Sequence, residues 1–568
     1  MLSPLPADTA ALLRWSWDGM EPHYRELAAR PLSAETLADF MADWTRLTEL
    51  VAERGNRLSV AMNANTADKE AEKRYRAYIE QVFPKVQTAA QDLKQKLLAS
   101  GLEPEGFAVP LRKMRAEAAL FRPANLPLLT EERKLSMQYD KVVGAQTVTW
   151  EGREVTLPQL RLVYQDADRS RRERAWRLEM QRQLADRQAI DELWGKFLSL
   201  RLQLAANTGM GSDYRAYRWQ QLRRFDYTPA DCAVFRQAIE EVVVPAATRV
   251  YERRRWQLGL DTLRPWDLDV DPLNRPPLVP FRTVTELRDR VAAIFQRVDP
   301  QLGDYFDTMV REGLLDLENR KNKAPGAYCT SFPAIKRPFI FANVVGTHKD
   351  VATMLHESGH AFHSFEASRQ PYIQQRFPGL EVAEVASMSM ELLAAPYLPA
   401  EEGGFYTPAE ANRACIEHLE RRLLFWPYMA IVDAFQHWVY ENPDLAANPD
   451  YCDATWVDLW HRFRPGVDWS GFEEELKTGW HRKLHIHTDP FYYVEYGLAQ
   501  LGAVQVWANA MDDQAGAVAA YRRALALGGT RPLPELYAAA GAKFAFDAET
   551  LGGAVWLMED TIARLAGD

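Results

Sequence analysis

Apolar residues recur every three or four positions over most of the chain, as in TLADFMADWTRLTELVAER (36–54), EVASMSMELLAAPYL (384–398) and HLERRLLFWPYMAIVDAFQHWVY (418–440). That period lays an apolar stripe along one side of an α-helix, so the protein is predicted to be mainly α. Alternation is confined to short runs. TVTWEGREVTL (147–157) alternates on both sides of Glu151-Gly152 and predicts a small hairpin, while AYCTSF (327–332) and RPFIFANVV (337–345) are β-prone extended runs. The proline-rich stretch RPWDLDVDPLNRPPLVPF (264–281) predicts a rigid irregular connector with a lobe boundary nearby, because proline fixes φ and removes a donor. RSRRERAWRLEMQRQLADR (169–187) interleaves both charge signs and reads as a solvated helix face.

Composition narrows the class. With 568 residues, 47% of them apolar, the chain can bury a large core of several domains. Lys and Arg number 68 against 78 Asp and Glu, a net charge of −10 that argues against a nucleic-acid partner. The four cysteines, Cys232, Cys329, Cys415 and Cys452, have no CxxC spacing and read as reduced thiols of a cytoplasmic protein. The start of the chain lacks a basic segment and meets Asp8 before any long apolar run, so no secretion signal is expected. The best late candidate for a membrane span, 491–511, is interrupted by Glu495, Gln500 and Gln505, so no membrane partner is expected either.

Histidine distribution carries the first chemical signal. Ten of the eleven His lie after residue 347, and three fall in DVATMLHESGHAFHSFE (350–366). Within it His356-Glu357-Ser358-Gly359-His360 is an H-E-x-x-H motif, whose two imidazoles stand one helical turn apart and can converge on one ion beside Glu357. Chance produces such a motif in roughly one chain in a hundred of this length. Asp350 is expected to cap the helix, Val351, Met354, Leu355, Ala361, Phe362 and Phe365 to bury it, and Gly359 to allow close approach. Imidazole pairs suit Zn²⁺, which in catalytic sites takes three protein ligands and keeps a fourth position for water.

The third ligand must come from elsewhere. The position six after His360 is Glu366, not the His of metzincins, and it faces away, so Glu366 reads as a solvated or supporting group. Beyond the loop PYIQQRFPG (371–379), LEVAEVASMSMELLAAPYL offers Glu381, Glu384 and Glu391. Glu384 and Glu391, seven residues apart, share a helix face, which suggests Glu384 as ligand with Glu391 behind a ligand; Glu381, near the helix start, reads as a cap or solvent group.

With these residues in place, the chain resembles the thimet-oligopeptidase and oligoendopeptidase F family of zinc metallopeptidases. The resemblance rests on HESGHAFHS, on the E-V-A-S of Glu384 to Ser387 and on HIHTDPFYYVEY (485–496). It also covers YRAYRWQQLRRFDYTPADC (214–232), RPWDL (264–268), KAPGAYCTSF (323–332) and FANVVGTHKDVATMLHE (341–357). It implies a two-lobed helical body enclosing a deep substrate channel, with a small β-sheet near a zinc-binding helix pair. It implies one Zn²⁺ held by His356, His360 and Glu384, in agreement with the face argument. It further implies transition-state roles for His485, Tyr493 and Tyr496, with the interval from His485 to Tyr496 one residue shorter than in the thimet branch, which leaves the role of Tyr492 open. Gly326, Ala327, Tyr328 and Asn343, on the extended segments, are implied to engage the substrate backbone by strand addition.

The expected division is a helical N-terminal lobe region over 1–200 and a catalytic region over 201–568. The expected activity is endopeptidase hydrolysis of short peptides by a zinc-activated water, with Glu357 as general base. The alternatives are a zinc carboxypeptidase of the H-E-x-x-H type, an aminopeptidase of that type, against which the missing G-x-M-E-N segment before the motif counts, and a non-catalytic peptide-binding relative.

Overall fold

Long amphipathic helices account for most of the chain in the computed structural model, which describes residues 4–567 apart from 321 and 325. The protein is mainly α, as its apolar period predicts. The 36–54 pattern runs from the N-cap Thr36 into the Leu37–Ala64 helix, and the 418–440 pattern lies within the Pro408–Glu441 helix.

The chain divides into two compact units, each assembled from three stretches: Met1–Ala119, Val279–Ala414 and Ala499–Phe544 in the first, and Leu120–Leu278, Cys415–Leu498 and Ala545–Asp568 in the second. One passage between them falls at Leu278, inside the proline-rich segment, whose only regular element among the described residues is the short Pro265–Asp267 turn. Residue 200 lies within the continuous Arg187–Asn207 helix.

β1 (Thr147–Trp150) and β2 (Arg153–Thr156) form the predicted hairpin, pairing Trp150 with Arg153. Glu151 and Gly152 both adopt positive φ, as a two-residue turn matched to strand twist requires. In the first unit β3 (Leu315–Glu318), β4 (Tyr328–Phe332) and β5 (Arg337–Val344) form a sheet in the order β3-β5-β4, with β3 parallel and β4 antiparallel to β5. The central strand is covered on both faces, which explains its unbroken apolar run from Phe339 to Ala342. β3 has no such run and was not legible in the sequence.

The charge-dense block at 169–187 corrects its sequence reading. In the Arg169–Leu184 helix, Arg172 and Glu179 are buried. Arg172 pairs with the fully buried Asp267 at 2.9 Å, and Glu179 accepts from Arg161 at 2.6 Å. Trp176 packs edge-on against Phe472 with centroids 4.9 Å apart, so the helix carries part of an aromatic core together with the charges.

Candidate metal centre

The H-E-x-x-H helix, His348–Ala367, begins two residues before Asp350. Thr347 is its N-cap, and Asp350 closes the cap from the first turn by accepting the N–H groups of Val345, Gly346 and Thr347 at 2.8–2.9 Å. Its apolar side packs on β4 and β5, with Phe362 edge-on to Phe295 and Phe365 stacked on Tyr305 at 4.4 Å.

The Leu380–Leu393 helix crosses this one at Gly359. A Cβ there would stand 2.5 Å from the carbonyl oxygen of Ala386 and 2.6 Å from Cα of Ser387, so only glycine permits the two backbones to meet. That contact brings Glu384 to the histidines: its Oε2 lies 3.5 Å from Nε2 of His356 and 3.7 Å from Nε2 of His360. His356, His360 and Glu384 thus each offer a ligand atom, all within 4.8 Å of one another. Glu381 stands outside this triad and is buried rather than solvated. Glu391 lies behind it, with Oε1 2.8 Å from Nδ1 of His356. A carboxylate there favours the tautomer with the proton on Nδ1 and leaves the Nε2 lone pair toward the triad.

Two further groups, unassigned in the sequence reading, complete the setting. Ser387 donates to Oε2 of Glu384 at 2.9 Å and so orients that carboxylate; the E-x-x-S spacing, one turn of helix, was the signal for it. The backbone N–H of Cys329 on β4 donates to Glu357, which places that edge of β4 beside the carboxylate. Burial pushes the Glu357 carboxyl up to about 7, against the opposing pull of His356. Burial also lowers His360 to about 3, so its imidazole is neutral, the form that ligates metal. Glu366 is buried, not solvated, because Arg522 pairs with it at 2.9 Å behind the helix.

The remaining predicted residues fall in two places. In the first unit Gly326 takes a positive φ at the entry to β4, followed by Ala327. The Tyr328 ring stacks on Phe341 at 4.9 Å and its hydroxyl accepts from Asn63 at 3.0 Å. The Asn343 amide donates to the carbonyls of Ala324 and Gly326 at 2.7 and 3.1 Å and holds that loop.

In the second unit His485 sits in the Leu484–Thr488 helix, and the Tyr493–Asp512 helix begins at Tyr493. The His485 ring centroid is 5.7, 5.1 and 5.9 Å from those of Tyr492, Tyr493 and Tyr496. Tyr492 therefore joins the cluster from the turn before the helix. Lys483 donates to the Tyr493 hydroxyl at 2.7 Å. Burial lowers Lys483 to about 7 and His485 to about 4, and raises Tyr493 well above the usual phenol range, so that phenol stays protonated. Arg224 fastens the segment, pairing with Glu495 at 2.7 Å and donating to the Phe491 carbonyl. Among the described residues no helix is long and apolar enough to cross a membrane.

The sequence model of peptidase family M3 matches residues 162–553. The chain is 24% identical over 290 residues to the oligoendopeptidase F homolog of Mycoplasma pneumoniae, a match covering 48% of this chain and 46% of that protein. It is 33% identical over 102 residues to oligopeptidase PepF of Bacillus subtilis, covering 17% and 15%. The aligned stretch thus spans less than half the length of these curated relatives. Among solved structures, PZ peptidase A with an inhibitor superposes with a TM-score of 0.88 at 27% identity over 99% of this chain and 98% of that one. A putative oligoendopeptidase F does so with 0.88 at 28% over 96% of each.

Proposed function

This chain belongs to peptidase family M3, and from that membership we propose that it is a zinc-dependent endopeptidase cutting internal bonds of short peptides. The observation that carries the reading is the convergence of His356, His360 and Glu384, with Glu357 on the same helical turn. Two imidazoles and one carboxylate are the donor set of a catalytic zinc site, and about a quarter of each His side chain remains open to solvent. Zinc bound there supplies a Lewis acid that lets water lose a proton near neutral pH and polarises a carbonyl.

The chain's own residues supply the rest. Glu357, poised near 7, takes a proton from the attacking water and returns it to the leaving amine. Glu391 and Ser387 hold His356 and Glu384 in their orientations. His485, Tyr493 and Tyr496 are the proposed donors to the developing oxyanion, a role for which a protonated phenol is suited. The edge of β4 with Gly326, Ala327 and Tyr328 is the proposed backbone contact for an extended peptide, and Asn343 shapes its entry loop. The relatives' names, oligoendopeptidase and oligopeptidase, support short peptides as the substrate class.

The test is digestion of a mixed library of peptides blocked at both ends, read by mass spectrometry, with metal content measured in parallel. Internal cleavage that stops on zinc removal and returns on zinc addition is expected. Cleavage restricted to peptides with a free end would make the protein an exopeptidase, and binding without turnover would make it a non-catalytic relative.

A further inference from the structure

The second unit holds another convergence of metal-binding side chains. Cys232, on the Pro229–Ala238 helix, meets Asp433 and His437, one turn apart on the Pro408–Glu441 helix, and the three ligand atoms lie within 4.8 Å of one another. All three side chains are buried, Cys232 and Asp433 at 0% and His437 at 3% exposure. Neither Oδ1 of Asp433 nor Nε2 of His437 has a hydrogen-bond partner. Nε2 of His437 is 3.6 Å from Oδ2 of Asp433, too far for a hydrogen bond, and Oδ2 is taken by Arg236.

Buried polar atoms without partners are rare and destabilising. Two of them on side chains that also converge with a thiol, with a ligand atom of each residue within 4.8 Å of the others, point to a metal ligand set. We propose that Cys232, Asp433 and His437 form a second, structural site for a zinc-class dication. Thiolate, carboxylate and imidazole are the mixed donor set that zinc accepts, and bonds of about 2.0–2.3 Å ask only for small side-chain adjustments from the present spacing. Cys232 gives up its thiol proton to solvent as the metal–sulfur bond forms, so two anionic donors face the dication. The Arg236 guanidinium keeps Oδ2 of Asp433, the oxygen 3.6 Å from Nε2 of His437, in place, while Oδ1 accepts no hydrogen bond.

The surroundings say what the metal would hold. Phe491, at positive φ, packs on His437 with centroids 5.1 Å apart, and its N–H donates to the neighbouring Gln436 at 2.6 Å. Phe491 is followed directly by Tyr492 and Tyr493. A metal here pins the Pro408–Glu441 and Pro229–Ala238 helices together beneath the turn that carries the tyrosine cluster.

The proposal is independent of the reading of His356, His360 and Glu384, and the test keeps them apart. The full chain is stripped of metal, loaded with Zn²⁺ or Co²⁺ and freed of excess by gel filtration. Two equivalents of zinc are expected in the parent, and one in Cys232→Ser and in His437→Gln. The cobalt form of the parent should show a near-ultraviolet thiolate-to-cobalt charge-transfer band. That band should persist in Glu384→Ala and vanish in Cys232→Ser. In the Glu384→Ala background, zinc should raise the melting temperature. The parent alone decides the matter if a variant fails to fold: absence of the thiolate band overturns the proposal. So does a band that survives Cys232→Ser and is lost in Cys329→Ser.

Discussion

The triad of the first unit and the cluster of the second share one plan: two donors one turn apart on a long helix, and a third from another helix. They differ in what surrounds the donors. Around His356, His360 and Glu384 each donor has an orienting neighbour or an open side: Glu391 stands on His356, Ser387 on Glu384, and the imidazoles keep about a quarter of their surface exposed. Around Cys232, Asp433 and His437 there is no opening, and Trp219 and Phe491 rings pack within 6 Å of the His437 centroid. An oriented, open donor set suits chemistry and a sealed one suits scaffolding, since substrate and water reach only the first.

The sharpest way to break this comparison is to remove the carboxylate proposed as base. Glu357→Gln should keep the metal content of the parent and lose about 10²–10⁴ in turnover, because the amide fills the same space without accepting a proton. A loss within tenfold, measured with a quenched fluorescent peptide at parental metal content, would remove Glu357 from that role. Glu384→Ala should cost one metal equivalent together with activity, while Glu381→Ala, outside the triad, should cost neither. Metal analysis of the pair fixes the register; the reverse result would transfer the ligand role to Glu381.

Tyr496→Phe comes next in size. Loss of one preorganised donor should lower kcat by about 10²–10³ with KM near parental, whereas a packing hydroxyl would cost only about 1 kcal/mol of stability. Unchanged kcat with a lowered melting temperature would make Tyr496 a core residue.

Gly359→Ala tests whether the open triad depends on helix contact. The added methyl meets backbone at 2.5 Å, so about 1–3 kcal/mol of stability should be lost together with metal affinity. Gly553→Ala, on the Ala548–Ala566 helix with nothing within 4 Å of the added carbon, should be neutral or stabilising by under about 1 kcal/mol. Equal melting temperatures for the two variants would refute the close-approach argument.

A different kind of effect, read against pH, concerns Lys483, which donates to the Tyr493 hydroxyl. Its pKa falls to about 7 in the folded state from about 10.4 in the unfolded chain, so between those values the unfolded state binds the extra proton and stability rises with pH. Below pH 7 both states are protonated and the slope vanishes. Lys483→Met should flatten the melting-temperature profile between pH 7 and 10; an unchanged profile would mean that Lys483 titrates normally.

Much of this molecule was readable from local pattern. Helical period predicted the main class, alternation around Glu151-Gly152 predicted the hairpin, and the seven-residue spacing of Glu384 and Glu391 put both on the side of the helix that meets His356. Each of these depends on neighbours within two or three turns, which is the range over which side-chain direction follows from sequence spacing. Readings that depended on distant partners fared differently. Glu366 and Arg172 look solvated until Arg522 and Asp267 are seen beside them, and the β3 strand exists because β5 is there to pair with it.

By itself, then, the sequence determined the helix class, the H-E-x-x-H turn and the chemistry its donors can support, because these are properties of residue type and local period. Only the tertiary structure decided that Gly359 lets two backbones touch, that Arg522 meets Glu366, and that Cys232 finds a histidine some two hundred residues away. Those are contacts between elements remote in sequence. They are set by how whole helices pack, a choice made by the summed burial of many side chains and not by the residues that finally meet.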